Sequence, residues 1–472
     1  MSKSADVVSL TEKNVHGDKT EIMDDVSHQV DPEQEYRQYP IRFYGLTVLG
    51  LLNIASSLSW LSVAPVPQQA SEFFGGTSYT VINWFSNVFM LSYLIAGPVS
   101  SIVYERYSIK IGIVLGASLQ VLGSWLRFFS VFVDAPNGRL ALAIVGQIIC
   151  AIGQPFILSS STPYAALWFS ADGRGSATTV SGLTNAVGMA IASITGPAFV
   201  TNPFEIRYNF LFIACFTTAF AIPAIFIPRK PKTPPSFSAA NGEERRLPFK
   251  QSIRMLFSNY NFIIIWLCFG VLCGLFSTVS SLLAQILLPY GINEDDAGMA
   301  AVALIVAGIV GAVSSGIFID KTGKHVWILR AFVPVVGFMY LALLFVVKHD
   351  NYGVIVAICA IMGFFTFSLL PVALELSVEC SYPVSESISS PLLWLCSQVL
   401  AFVFTISMDA LRDPNGDPPD NMRRALIMAT GVSMPMMVIA MFYNIYHWPD
   451  HWKKACHVVF FWKPYTFIQN MH

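Results

Sequence analysis

Residues 297–325 read AGMAAVALIVAGIVGAVSSGIFIDKTGKH. From Ala297 to Ile319 no side chain is charged. That run covers the roughly 20 residues a helix needs to cross a ~30 Å hydrocarbon core. Asp320, Lys321 and Lys324 follow at once, as expected where a chain leaves the bilayer and its charges regain water. The run lacks the polarity alternation of a membrane-barrel strand. It reads as one transmembrane helix and its exit.

The pattern repeats along the chain. Charge-free runs cover 43–71, 73–104, 140–171, 175–204, 208–228, 255–293, 297–319, 351–374, 387–408 and 425–449. Two more, 111–133 and 326–347, are interrupted once each, by Arg127 and Arg330. These twelve runs predict an all-α membrane protein with twelve transmembrane helices. The 472 residues are 54% apolar and 12% charged, with mean hydropathy +0.58, whereas a soluble domain carries about 25% charged residues. This excludes a string of soluble domains, a nucleic-acid binder, a coiled coil and a disordered scaffold.

The segments between runs alternate in basic content. The N-tail, 104–110, 164–176, 228–254, 320–330, 375–386 and the C-tail hold 21 of the 28 Lys and Arg. The other set holds Arg139, Arg207, Lys348, Arg412, Arg423 and Arg424. Basic residues concentrate on cytosolic loops, which places both termini in the cytosol. Residues 1–39 carry nine Asp or Glu and four Lys or Arg without an apolar h-region, and read as a disordered cytosolic tail rather than a signal peptide. The Pro-rich basic stretch 229–254 reads as a cytosolic linker that divides the spans six and six. The expected units are bundles 40–228 and 255–447, then a second tail, 448–472, whose Trp448, Trp452, Lys453 and Lys454 suit a membrane surface. The eight cysteines have no metal spacing and no partners on an oxidising face. No metal, cofactor or disulfide is expected.

An internal repeat supports the division. Gly316, Asp320, Lys321, Gly323 and Lys324 follow the eighth run; Ser101, Glu105, Arg106 and Lys110 follow the second. Each copy has a small residue, an acid four positions later, a base, then another base. The later copy resembles the G-x-x-x-D-K-x-G-K loop of the major facilitator superfamily, and the earlier is a degenerate version of it. The resemblance implies the major facilitator fold, two six-helix pseudo-repeats working by alternating access. Physically the loop reads as a gate latch. Gly316 allows two helices to approach closely. Asp320 or Glu105 accepts charge-assisted hydrogen bonds that hold the cytosolic side shut until the halves rock.

Ionisable groups inside spans mark function, yet none falls near a predicted helix centre. Arg127 lies near the outer end of the third span and is expected to snorkel outward. Glu375 and Glu379 sit one turn apart at the inner end of the tenth, and Asp409 ends the eleventh at the outer face. What remains at mid-depth is aromatic and amide. Trp60 lies about two-thirds along the first span and Gln154 in the fourth. Phe276 and Ser277 are in the seventh; Trp394 and Gln398 share a face of the eleventh. An amide in lipid needs a partner helix or a cavity, and packing between helices is the plain alternative for each of these residues. Their presence in both halves points to a pocket near the midplane. Aromatic faces suit an organic cation and amides suit hydroxyl groups.

The stretch Glu375-Leu-Ser-Val-Glu379-Cys-Ser-Tyr382-Pro383-Val-Ser-Glu386 resembles the tenth-to-eleventh helix segment of the FLVCR family (feline leukaemia virus subgroup C receptor-related transporters). Leu58-Ser-Trp60, Trp84 to Tyr93, Gly146-Gln147 to Gln154 and Val279 to Gln285 are similar to other pieces of that family. The resemblance covers residues 40–447. It implies a facilitator from a group associated with choline and ethanolamine, heme or pyridoxine. It implies that Trp60 is a cage tryptophan and that Gln154 and Gln398 are pocket glutamines. Ser277 stands where choline-binding members carry a tyrosine, and Phe276 or Trp394 is the compensating aromatic. Glu375, Glu379 and Glu386, with Tyr382-Pro383 as a rigid turn, then read as inner-gate residues that pair with bases of the other half when the inside is closed.

The sequence therefore predicts a transporter, not an enzyme, for a small organic solute: a choline- or ethanolamine-like cation or a neutral hydroxylated molecule. Its partners are that solute and the lipid bilayer, with no nucleic acid, and it works as a monomer in the plasma membrane or an organelle membrane. The empty mid-depth favours a facilitator over a proton-coupled transporter of heme, pyridoxine or another metabolite. A non-transporting receptor is the alternative of another class.

Overall fold

A soluble helix keeps charged and polar side chains on its outer face; here the long helices turn isoleucine, valine and phenylalanine outward instead, as Ile95, Val310 and Phe345 do. 

In that setting nothing but a hydrocarbon solvent satisfies such a surface. The computed structural model describes residues 36–235, 249–348, 351–381, 384 and 386–443. Among them are twelve helices long and apolar enough to span a membrane. They are α1 (Ile41–Trp60), α2 (Tyr79–Arg106), α3 (Ile109–Ser130), α4 (Pro136–Leu158), α5 (Ala171–Phe199) and α6 (Ile206–Ala224), then α7 (Tyr260–Leu287), α8 (Glu294–Thr322), α9 (His325–Val346), α10 (Tyr352–Ser381), α11 (Glu386–Ala410) and α12 (Arg423–Met441).

Local chemistry sets several boundaries. Ser108, Asn259 and Asn293 accept backbone N–H bonds at the starts of α3, α7 and α8. Glu294, Asp295 and Asp296 fill the first turn of α8, where the helix dipole favours acids. Gly323 ends α8 at φ +63°, a left-handed cap that suits glycine. Short helices Pro67–Phe73, Ser161–Trp168 and Phe249–Phe257 lie between the long ones. The last of these makes residues 249–254 of the expected linker helical, with Leu256 buried and Lys250 and Arg254 exposed. Most of the expected tails 1–39 and 448–472 lies outside the described residues.

The packing repeats with a period of six helices. In the first half α1 packs on α5 and α6, α2 on α4, and α3 on α4 and α6. In the second, α7 packs on α11 and α12, α8 on α10, and α9 on α10 and α12. Across the seam α5 meets α8 and α2 meets α11. These two contacts exchange when the halves are swapped, as a pseudo-two-fold axis requires. Bare backbone makes the tightest approaches. A Cβ on Gly363 of α10 would fall 1.8 Å from the Leu304 carbonyl oxygen of α8, and one on Gly123 of α3 2.4 Å from that of Gly146 in α4.

Gly316 departs from the expected close approach: nothing lies within 4 Å of a Cβ built there. The close approaches on α8 lie further back, at Gly298, Gly308 and Gly311.

Candidate functional site

Successive spans run in opposite directions, so the connections fall at two ends. The termini end carries the α2–α3, α4–α5, α6–α7, α8–α9 and α10–α11 connections; the far end carries the rest. Between the halves lies a cavity of about 690 Å³ of non-atom space, part of it open to solvent. Trp60 of α1, Gln154 of α4, Phe276 and Ser277 of α7, and Trp394 and Gln398 of α11 all line it. Trp60 is the last residue of α1 rather than two-thirds along a helix, because the helix stops there and the chain continues through buried residues 61–66.

The aromatic walls are fixed by other rings. Phe276 meets Phe367 edge-on, with centroids 4.7 Å apart at 88°, and Trp394 meets Phe269 at 5.3 Å and 89°. Phe89, Asn185, Thr366 and Phe367 also line the cavity. Phe89 and Phe367 carry no signal in the sequence because Phe is common throughout the spans. The lining contains no Asp, Glu, Lys, Arg or His. The cavity can therefore hold a small molecule against ring faces, with amides and hydroxyls for its polar atoms. No group of three or more His, Cys, Asp or Glu is placed to hold a metal ion among the described residues.

Arg127 overturns its sequence reading. It does not snorkel outward; its residue is 0% exposed. Nη1 donates to Ser59 O at 3.1 Å, Ser62 Oγ at 2.9 Å and Gln147 Oε1 at 2.7 Å. Nη2 reaches Ser59 Oγ and Ser124 Oγ at 3.3 and 3.4 Å. The guanidinium also lies 5.6 Å from the centroid of the Phe210 ring. Snorkelling fails because α1, the segment that follows it, α4 and the preceding turn of α3 itself offer acceptors nearer than the membrane surface.

The halves are joined at the far end by a polar lock. Gln285 Nε2 of α7 donates to Asn83 Oδ1 of α2 at 2.6 Å. Asn83 Nδ2 donates to Asp409 Oδ1 of α11 at 2.9 Å. Arg412 donates to Asp409 at 2.9 Å and also to Gln285, and sits 5.0 Å from the Tyr79 ring centroid. Beside them the Gln68 N–H donates to Glu294 Oε1 at 2.8 Å. Asp409, expected merely to end a helix, has a side chain only 7% exposed. The legible signal was an acid and a base three residues apart at a span end.

At the termini end, Glu375 Oε2 lies 2.8 Å from His325 Nε2 and Glu379 Oε1 lies 3.5 Å from His325 Nδ1. Both glutamates meet a histidine of their own half, at the start of α9; the pairing with bases of the other half is the expectation for the state closed at this end. Arg106, Lys321, Gly323 and Lys324 are exposed. Tyr382 and Pro383 lie outside the described residues, as do the side chains of Glu105, Asp320 and Glu386.

Comparison with known proteins gives the same architecture. A family model described as the Major Facilitator Superfamily matches residues 47–385. Solute carrier family 49 member A3 of Xenopus tropicalis is 30% identical over 417 residues, covering 85% of each chain. The human choline/ethanolamine transporter FLVCR2 is 29% identical over 414 residues, covering 84% of this chain and 77% of its own. The crystal structure of a D-xylose-proton symporter superposes with a TM-score of 0.64 at 14% identity, covering 86% of this chain and 98% of that one. With twelve membrane-spanning helices in two matching halves around a shared cavity, the chain is an integral multi-pass membrane transporter that belongs to the Major Facilitator Superfamily, among its solute carrier 49 and FLVCR members.

Proposed function

We propose that the cavity is the substrate site of a facilitative transporter for a small organic solute, either a choline- or ethanolamine-like cation or a neutral hydroxylated molecule. The observation that carries this reading is the convergence of Trp60, Gln154, Phe276, Ser277, Trp394 and Gln398, drawn from both halves, on one cavity. A site made by both halves is the geometry alternating access needs, because rocking one half against the other changes its exposure without dismantling it. The lining's lack of charged side chains favours passage without a buried proton carrier. Aromatic faces and neutral amides match a quaternary or primary ammonium group beside a hydroxyl, the chemistry named for the FLVCR2 relative.

The concentration of basic residues on the connections at the termini end supports a cytosolic placement of that end. The Asn83–Gln285–Asp409–Arg412 lock is then the outer gate, closed in this conformation. Glu375 and Glu379 are inner-gate residues, with the loops around Glu105, Arg106, Asp320, Lys321 and Lys324 and the segment Tyr382, Pro383 and Glu386 as the rest of that gate. Gly323, in its left-handed conformation, shapes the α8 exit.

Trp60→Ala tests the site. A desolvated cation–π face is worth about 2 kcal/mol, so binding of a quaternary ammonium solute is expected to weaken roughly 30-fold. Equilibrium binding of labelled choline to purified protein measures it. Unchanged affinity in a folded variant would remove Trp60 from the site.

A further inference from the structure

We propose that Arg127 is a positioning residue for Trp60, fixing the peptide unit that carries the cavity tryptophan. The proposal rests on the reading that Trp60 touches the solute. Ser59 O belongs to the same peptide unit as the Trp60 N–H. It accepts from Arg127 Nη1 at 3.1 Å and from Gln147 Nε2 at 3.0 Å. The contact is placed where the backbone needs it. Ser59 lies among the last four residues of α1, whose carbonyls have no partner further along the helix. Ser57 O is satisfied by Leu61 N at 3.0 Å, and Ser59 O takes its donors from α3 and α4.

The same guanidinium continues past Trp60 to Ser62 Oγ at 2.9 Å. It thus grips the chain on both sides of the tryptophan. Two further side chains hold this grip. Gln147 also donates to Phe85 O of α2 at 2.8 Å, and Asn209 of α6 donates to Ser62 O at 2.7 Å. The oxygens that accept from Arg127 Nη1 and Nη2 belong to neutral hydroxyl, amide and backbone groups. The negative end of the α1 dipole supplies the complementary charge. An arginine suits the position because its planar fork reaches several separated acceptors, whereas a lysine offers one point of charge.

A double-mutant cycle with Trp60→Ala tests the assignment, because two residues acting through one contact give non-additive losses. Labelled choline is the probe, in detergent for affinity and in proteoliposomes for uptake. Arg127→Lys is expected to weaken binding roughly tenfold while the saturating uptake rate of the folded protein stays near the parent's. Placed on Trp60→Ala, the same change should weaken binding less than about twofold. Losses that multiply in the double variant, or an Arg127→Lys protein that binds like the parent, would overturn the proposal. Should Arg127→Lys fail to fold, Gln147→Met, which removes the second donor to Ser59 O, replaces it in the cycle with the same criteria. A Trp60→Ala protein that binds choline normally would overturn the substrate site itself, a result distinct from additivity within a working site.

Discussion

Gly363→Ala should leave little folded protein. The added methyl would fall 1.8 Å from Leu304 O and 2.7 Å from the Leu304 carbonyl carbon. Both are backbone atoms of α8, so no rotamer change relieves the overlap and the two helices must separate. The opposing surface is equally tight, since a Cβ on Gly311 would lie 2.1 Å from Phe364 O. Over-packing of a filled interior costs about 3 kcal/mol at the upper end of the usual range, and membrane helices associate largely through such close packing. The check is the monodisperse fraction by size-exclusion chromatography and the thermal midpoint. Gly316→Ala is the control. Its Cβ meets nothing within 4 Å, and alanine is the better helix former by about 1 kcal/mol. Equal behaviour of the two variants would show that the α8–α10 contact is looser than described.

Arg412→Met should unlock the far end by roughly 100-fold. Asp409 and Arg412 are 7% and 10% exposed, and their carboxylate and guanidinium lie 2.9 Å apart. Removing the base leaves the acid buried with Asn83 as its remaining named donor. Stranding one member of a buried pair costs about 3–5 kcal/mol. When the halves part, water reaches Asp409 and the penalty is relieved, so the closed state carries the cost. A shift of ~3 kcal/mol moves a two-state equilibrium about 100-fold. Spin labels at Asp134 and Asn415, exposed on far-end connections of opposite halves, report the change as a longer distance distribution. Arg412→Lys should restore part of the shorter population. A distribution unchanged by Arg412→Met would remove the lock from the account.

The twelve spans were legible because each must bury its backbone within itself and face lipid with apolar side chains, which leaves long charge-free runs. Trp60, Gln154 and Gln398 were legible because tryptophan and amides at mid-depth demand a reason. Arg127 was misread because position along a helix does not say which way a side chain faces; the signal lay in Ser59, Ser62, Ser124 and Gln147 at matching depth. The far-end lock escaped notice because Asn83 and Gln285 are 202 positions apart, and Asn83 and Asp409 are 326 apart. Gly316 carried a motif, yet close packing on α8 is set by Gly308 and Gly311, whose neighbours on α10 no local pattern reveals.

The central claim is that a small organic solute crosses through the cavity between the halves. Counterflow in proteoliposomes preloaded with unlabelled choline, ethanolamine, pyridoxine or heme tests it most directly. The account predicts transient accumulation of the labelled counterpart of choline, ethanolamine or a neutral hydroxylated solute, without an imposed pH gradient, and its loss in Trp60→Ala. No accumulation of any solute, or accumulation indifferent to Trp60, would contradict it.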